Sequence, residues 1–269
     1  MIILLSWNVQ WCRGMDERVE PQRIAREAKR LADPDIFCLQ EIARNFPEMA
    51  GSAGEDQVEE LKKAMPGYEA LYAPGVDIPG KKGRRQFGNL ILTRLPVGRV
   101  MRHQLPWPAA PDVQSMPRAA VEVVVQAPFG ALRVTTTHLE YYSPRHRAAQ
   151  IDRLCELHAE ACVEHAGVSE PGSYESYERA KSAIVCGDFN LKPDDPHHRR
   201  MLDGGFVDAW LAMNEGKARQ PTFHLFDGTT PYCCDYVFLT PDLVPRLRSI
   251  RIDPETQASD HQPVIVEFA

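Results

Sequence analysis

Eight strand-sized runs rich in Val, Ile, Leu and Thr recur along this 269-residue chain, and any fold it adopts must pair them. They are "IILLSWNV" (2–9), "DIFCLQE" (35–41), "GNLILTR" (88–94), "AAVEVVVQA" (119–127), "ALRVTTTHL" (131–139), "SAIVCGDFN" (182–190), "DYVFLT" (235–240) and "PVIVEFA" (263–269). Gly, Pro and Asp bound them, as they bound strands. "APFGA" is a tight connection between the fourth and fifth runs, which predicts an antiparallel hairpin.

Helical periods interrupt the strands. "PQRIAREAKRLA" puts Ile24, Ala28 and Leu31 on one face, and "EDQVEELKKAM" does the same with Val58, Leu61 and Met65. A third helix is predicted from Ser143, a capping residue, and Pro144, with Ile151, Leu154, Leu157 and Ala161 as its buried stripe. "LPWPAAPDVQSMP" (105–117) and "GVSEPGSYES" (167–176) have no period and read as loops. With no repeat and no linker, residues 1–269 are expected to form one α/β domain of two packed sheets with helices outside.

A net charge of −6 argues against a surface that coats nucleic acid, though not against a nuclease with a local basic rim. The seven cysteines are scattered and no C-x-x-C occurs, so zinc is not expected and buried free thiols are. Cys233 and Cys234, close in sequence to His224, read as packing residues rather than ligands. "MIILLSW" lacks the basic start of a signal peptide, and no run approaches the ~20 apolar residues of a membrane span. The expectation is a reduced, cytoplasmic monomer without a membrane span.

Polar residues gather where the strand-like runs end. Asn8 closes the first and Glu41 the second; His138 closes the fifth, Asp188 and Asn190 the sixth, and Asp260 with His261 precedes the last. Ends of several strands are where α/β folds place their sites. A few hard oxygen ligands with open positions describe a magnesium site that keeps waters for a phosphate substrate. In "ASDHQPV", three reactive neighbours cannot form a serine triad among themselves, and no G-x-S-x-G supplies another serine.

In that order, "SWNVQW", "DIFCLQE", "GNLILTR", "MPRAAVEV", "TTHLE", "GDFN", "CDYVFLTP" and "SDHQPV" resemble the endonuclease/exonuclease/phosphatase superfamily over nearly the whole chain. The resemblance implies a four-layer sandwich, two mixed β-sheets face to face with helices on both outer sides. It also implies divalent-metal-dependent hydrolysis of a phosphate ester, with magnesium as the cation and manganese as the alternative. Carried over residue by residue, it makes Asn8, Glu41 and Asp260 metal-binding positions. Asp188 matches the residue that orients or deprotonates water, Asn190 the one that holds a phosphoryl oxygen, and His261 the active-site histidine. Asp235 matches the acid that orients His261, while His138 and Arg118 match phosphate contacts. Ser259 is left as a turn residue.

Two departures stand out. Gln10 replaces an acidic residue that many relatives carry, and Phe87 stands near a position often held by tyrosine. "GKKGRRQFG" reads either as a solvated mobile loop or as a phosphate-gripping rim of Lys81, Lys82, Arg84 and Arg85. The leading expectation is a nuclease acting on phosphodiesters. The alternatives are a phosphatase or phosphodiesterase of a lipid or small molecule and, more remotely, a non-catalytic binding module of the same fold.

Overall fold

The computed structural model describes residues 1–81, 83–163 and 179–269. Lys82, the end of the expected third helix (164–166) and the expected loop at 167–176 lie outside the described residues. One six-stranded sheet contains β1 (Ile2–Asn8), β2 (Ile36–Arg44), β3 (Glu69–Gly80), β4 (Gly83–Thr93), β11 (Leu247–Ile252) and β12 (Val264–Phe268), in the order β11-β12-β1-β2-β4-β3. The other contains β5 (Val97–Gln104), β6 (Ala119–Ala127), β7 (Gly130–His138), β8 (Ala183–Asp188), β9 (Val207–Asp208) and β10 (Asp235–Leu239), in the order β5-β6-β7-β8-β10-β9. The helices are α1 (Pro21–Leu31), α2 (Gln57–Ala64), α3 (Pro144–Val163), α4 (Pro196–Asp203) and the short α5 (Ala209–Met213).

Alternation along each strand builds the layers. Leu4, Ile36, Cys38 and Ile91 of the first sheet pack with Val121, Val134, Ile184 and Val237 of the second in a central core. Their neighbours Leu5, Phe37, Leu39 and Leu92 face the other way, against Ile24 and Ala28 of α1 and Val58 and Leu61 of α2. On the far side, Val185, Tyr236 and Phe238 pack with Ile151 and Leu154 of α3 and Met201 of α4. The result is the expected helix–sheet–sheet–helix sandwich. Each fully buried aliphatic or phenyl side chain in it stabilises the fold by about 1.5–3 kcal/mol relative to exposure. Among the described residues no helix is long and apolar enough to cross a membrane.

All eight anticipated strands form, and the β6–β7 hairpin closes through Ala127↔Gly130 as predicted. β3, β5, β9 and β11 were not anticipated. The basic segment "GKKGRRQFG" reads as a loop, but its residues Gly83–Gly88 form the first half of β4, paired with β3. β2 also continues past Glu41 to Arg44.

Register places the polar residues. The parallel β7–β8 pair sets His138 beside Asp188, and antiparallel β8–β10 sets Asp188 beside Asp235. In the first sheet, parallel β1 ends at Asn8 opposite Gln40 of β2, next to Glu41. A parallel pair needs a crossover, and α1 and α3 supply the two that bring these C-terminal strand ends to one edge of the sandwich.

Candidate active site

Glu41 reaches the site through a defect in its strand. The β2–β4 register runs from Leu39↔Leu90 to Ile42↔Gly88, so Gln40 and Glu41 together oppose Asn89 in a bulge. Glu41 has φ of 61°, a conformation that a non-glycine side chain adopts only at a cost. Gln10, Trp11 and Cys12, immediately after β1, share the left-handed region with φ of 46°, 43° and 60°. Backbone strain is thus concentrated on both sides of Asn8.

The side chains meet across the sandwich. Asn8 Nδ2 donates to Glu41 Oε1 at 3.2 Å and to Asp188 Oδ2 at 3.0 Å, while Asn8 Oδ1 accepts from the Gln10 N–H at 3.1 Å. His138 lies 3.6 Å from Glu41 Oε1 and 3.4 Å from Asp188 Oδ2. Asn190 Nδ2 contacts His138 Nε2 at 3.0 Å, and the Asn190 N–H donates to Asp188 Oδ1 at 2.9 Å. His261 pairs through Nδ1 with Asp235 Oδ2 at 2.9 Å and places Nε2 3.7 Å from Asp188 Oδ2. Asp260 joins the same cluster through Gln10, whose Nε2 donates to Asp260 Oδ2 at 2.6 Å. Gln10, which stands where many relatives carry an acid, thus fixes the Asp260 carboxylate.

Charge is uneven within this cluster. Burial, followed by the nearby Asp260 carboxylate, pushes the Glu41 carboxyl up to about 7. Burial and Asp235 likewise raise Asp188. For His261, burial opposes the charge, but Asp235 and Asp188 outweigh it and lift the imidazole to about 10. His138 is driven well below its ordinary value by burial and by Arg118, and stays neutral. An imidazolium thus sits beside a neutral imidazole, each against the same Asp188.

Arg118 lies at the end of a cleft lined by Glu41, Phe87, Asn89, Met116 and His138. Its Nε is 3.5 Å from Glu140 Oε2, an ion pair with both side chains buried. Glu140 also accepts from the N–H groups of Met116 and Tyr142 at 3.4 and 2.9 Å. Sequence reasoning gave Glu140 no role, although a carboxylate two residues after a strand-end histidine was visible in "TTHLE". It also passed over Phe223, whose ring stacks on His261 at 4.4 Å. Ser259 is structural as expected: its Oγ donates to Asn8 O at 2.8 Å, tying the last loop to β1. In the basic hairpin Arg84 pairs with Asp77 and Arg85 with Glu48.

The donor set suits a hard divalent cation. Glu41 and Asp260 are close enough to raise the proton affinity of Glu41, a repulsion that a cation between oxygen ligands would relieve. Among the described residues, Asp188, Cys234 and His261 also bring ligand atoms within 4.8 Å of one another. That trio is a poor site. Burial, Asp188 and Asp235 hold the Cys234 thiol protonated, and its Sγ contacts Asp235 Oδ2 at 3.5 Å. All seven cysteines are free, and Cys233 and Cys234 are buried packing residues.

The sequence profile of the Endonuclease/Exonuclease/phosphatase family matches residues 5–261. Among curated proteins none matches the chain. Solved structures share its fold. An endonuclease/exonuclease/phosphatase from Beutenbergia cavernae superposes with a TM-score of 0.73 at 21% identity, over 100% of this chain and 72% of that one. A Bacteroides thetaiotaomicron mannosyl-6-phosphatase superposes with a TM-score of 0.71 at 20% identity, over 100% of both chains. D. rerio TDP2 complexed with single-strand DNA product gives 0.68 at 19% identity, over 100% of this chain and 98% of that one.

Proposed function

Because the chain belongs to the endonuclease/exonuclease/phosphatase family, we propose that it hydrolyses a phosphate ester by attack of water in line with the leaving oxygen, using magnesium, or manganese in its place. The observation that carries this reading is one continuous polar chain. Asp235, His261, Asp188, Asn8 and Glu41 are linked by successive contacts of 2.9, 3.7, 3.0 and 3.2 Å. Such a chain joins a charged donor, a base and an oxygen-rich cation site within one cleft.

Glu41 and Asp260 would hold the cation, with Asn8 beside them. When bound, the cation neutralises the phosphoryl charge and the departing oxygen. Asp188, with its proton affinity raised, takes the proton of the attacking water. His261 is kept protonated by Asp235 and donates to a phosphoryl oxygen as charge develops there. Neutral His138 and the amide of Asn190 hold a second phosphoryl oxygen, and Arg118 adds a fixed positive charge at the cleft.

Phosphodiester cleavage of the nuclease kind is the first reading, supported by a shared fold with TDP2 bound to a DNA product. The pairing of Arg84 and Arg85 within the protein favours a strand end or a small ester over the interior of a duplex. The test is hydrolysis of aryl phosphate diesters and monoesters and of DNA by wild type and by Glu41→Gln. Turnover should require magnesium, vanish with a chelator and return when magnesium is restored. In Glu41→Gln it should fall by about two powers of ten or more, with weakened magnesium binding by calorimetry. Chelator-resistant activity, or unchanged magnesium affinity in the variant, would contradict the proposal.

A further inference from the structure

Two tyrosines stand exposed where the chain leaves the end of β7. Tyr141 and Tyr142 follow His138 by three and four residues and are 50% and 54% exposed. Neither belongs to a core cluster, so folding does not account for them. Their backbone is nonetheless held firmly. Arg147 Nη1 donates to the carbonyls of Glu140 and Tyr141 at 2.8 and 3.0 Å, and the Tyr142 N–H donates to the buried Glu140 carboxylate at 2.9 Å. The rings meet edge to face, 4.9 Å apart at 87°.

Other rings stand beside the catalytic centre. Phe223 stacks on His261 at 4.4 Å, and Tyr232 meets Phe223 edge to face at 5.6 Å. The exposed pair is tied to the site through its backbone: Glu140, which accepts from the Tyr142 N–H, pairs with Arg118, and the Leu139 carbonyl accepts from Asn190 Nδ2 at 2.9 Å. The Lys192 ammonium sits 5.2 Å above the Tyr232 ring. Aromatic surface therefore runs from the catalytic imidazole outward, with a cation over it. Exposed aromatic rings on a fixed backbone are efficient anchors, since little entropy is lost when they are covered.

We infer that this aromatic wall is a substrate subsite that stacks a planar ring, a nucleobase or aryl group, carried by the phosphate ester hydrolysed next to it. The inference rests on the proposed function and narrows its substrate class. A ring stacked on tyrosine gains affinity without reading sequence.

Calorimetry in the presence of magnesium tests it with thymidine monophosphate, glycerol phosphate and a hexose phosphate as probes. Proteins for comparison are wild type, the double variant Tyr141→Ala/Tyr142→Ala and the double variant Tyr141→Phe/Tyr142→Phe. Wild type should bind thymidine monophosphate about 5- to 150-fold more tightly than either ring-free or sugar phosphate. The alanine pair should erase that preference while leaving glycerol phosphate affinity unchanged, and the phenylalanine pair should restore it. Equal binding of all three phosphates by wild type would overturn the inference and leave the proposed function standing, as would equal weakening of all three in the alanine pair. Binding of none of them would overturn both.

Discussion

Removing the carboxylate of Asp235 separates the charge on His261 from the rest of the site, because Asp235 touches the imidazole and not the oxygen cluster around Glu41. In Asp235→Asn, turnover should fall by one to several powers of ten, the scale seen when an orienting acid or a charge-stabilising group is lost. The pH profile gives the sign. Asp235 is the main charge raising His261, so without it the imidazole loses its proton below its present value of about 10, and the alkaline limb moves to lower pH. Asp235 also raises Asp188, so the acid limb should move the same way. Magnesium affinity should hardly change. Steady-state kinetics across pH with metal titration on the same protein decides this; an unmoved alkaline limb would contradict it. At this scale the sequence was informative because each candidate stood at a strand end, where register carries it to the cleft. Gln10, Glu140 and Phe223 were not legible, because their roles depend on partners 250, 22 and 38 positions away in the chain.

The eight strands that were legible all lie inside the sheets, where both faces are buried and the apolar run is continuous. The four that were missed, β3, β5, β9 and β11, are the four sheet edges. Edge strands tolerate Pro and charge because one side of their backbone is unpaired, which is why "EALYAPGVDIPG" and "LRSIRI" did not read as strands. The bulge at Glu41 was equally hidden, since one extra residue leaves no pattern in an apolar run. Gly187 shows how tightly register is fixed next to the site. It has φ of 133°, and a Cβ there would lie 2.0 Å from Thr137 O, on the strand that pairs with it in parallel. Gly187→Ala should therefore destabilise the fold by about 3 kcal/mol or more, and lower activity as Asp188 shifts. Denaturant unfolding measures this, and a loss under about 1 kcal/mol would show that β8 absorbs the methyl without moving Asp188.

At the scale of the whole molecule, two mixed sheets serve as a frame that brings several strand ends from distant parts of the chain to one edge. That assembly was legible in the sequence because strand-sized and helix-sized runs specify two packed sheets with helices outside, and the motifs stand in the order that resembles the family. The substrate class is less legible, since the residues that line the cleft, Phe87, Met116 and Arg118 among them, come from segments that meet only in the fold. An acidic chain of net charge −6, with Arg84 and Arg85 of its basic hairpin paired, is suited to engaging a phosphate locally rather than tracking a long polyanion. The account stands on one chemical event, transfer of a phosphoryl group to water within the Asp188–His261 cluster. It is tested most directly by hydrolysis in water enriched in the heavy oxygen isotope, followed by mass analysis of both products. With magnesium present, the phosphate-bearing product should carry one solvent oxygen and the alcohol product none, and a chelator should abolish the reaction. Solvent label in the alcohol, or no magnesium-dependent hydrolysis of any phosphate ester, would contradict it.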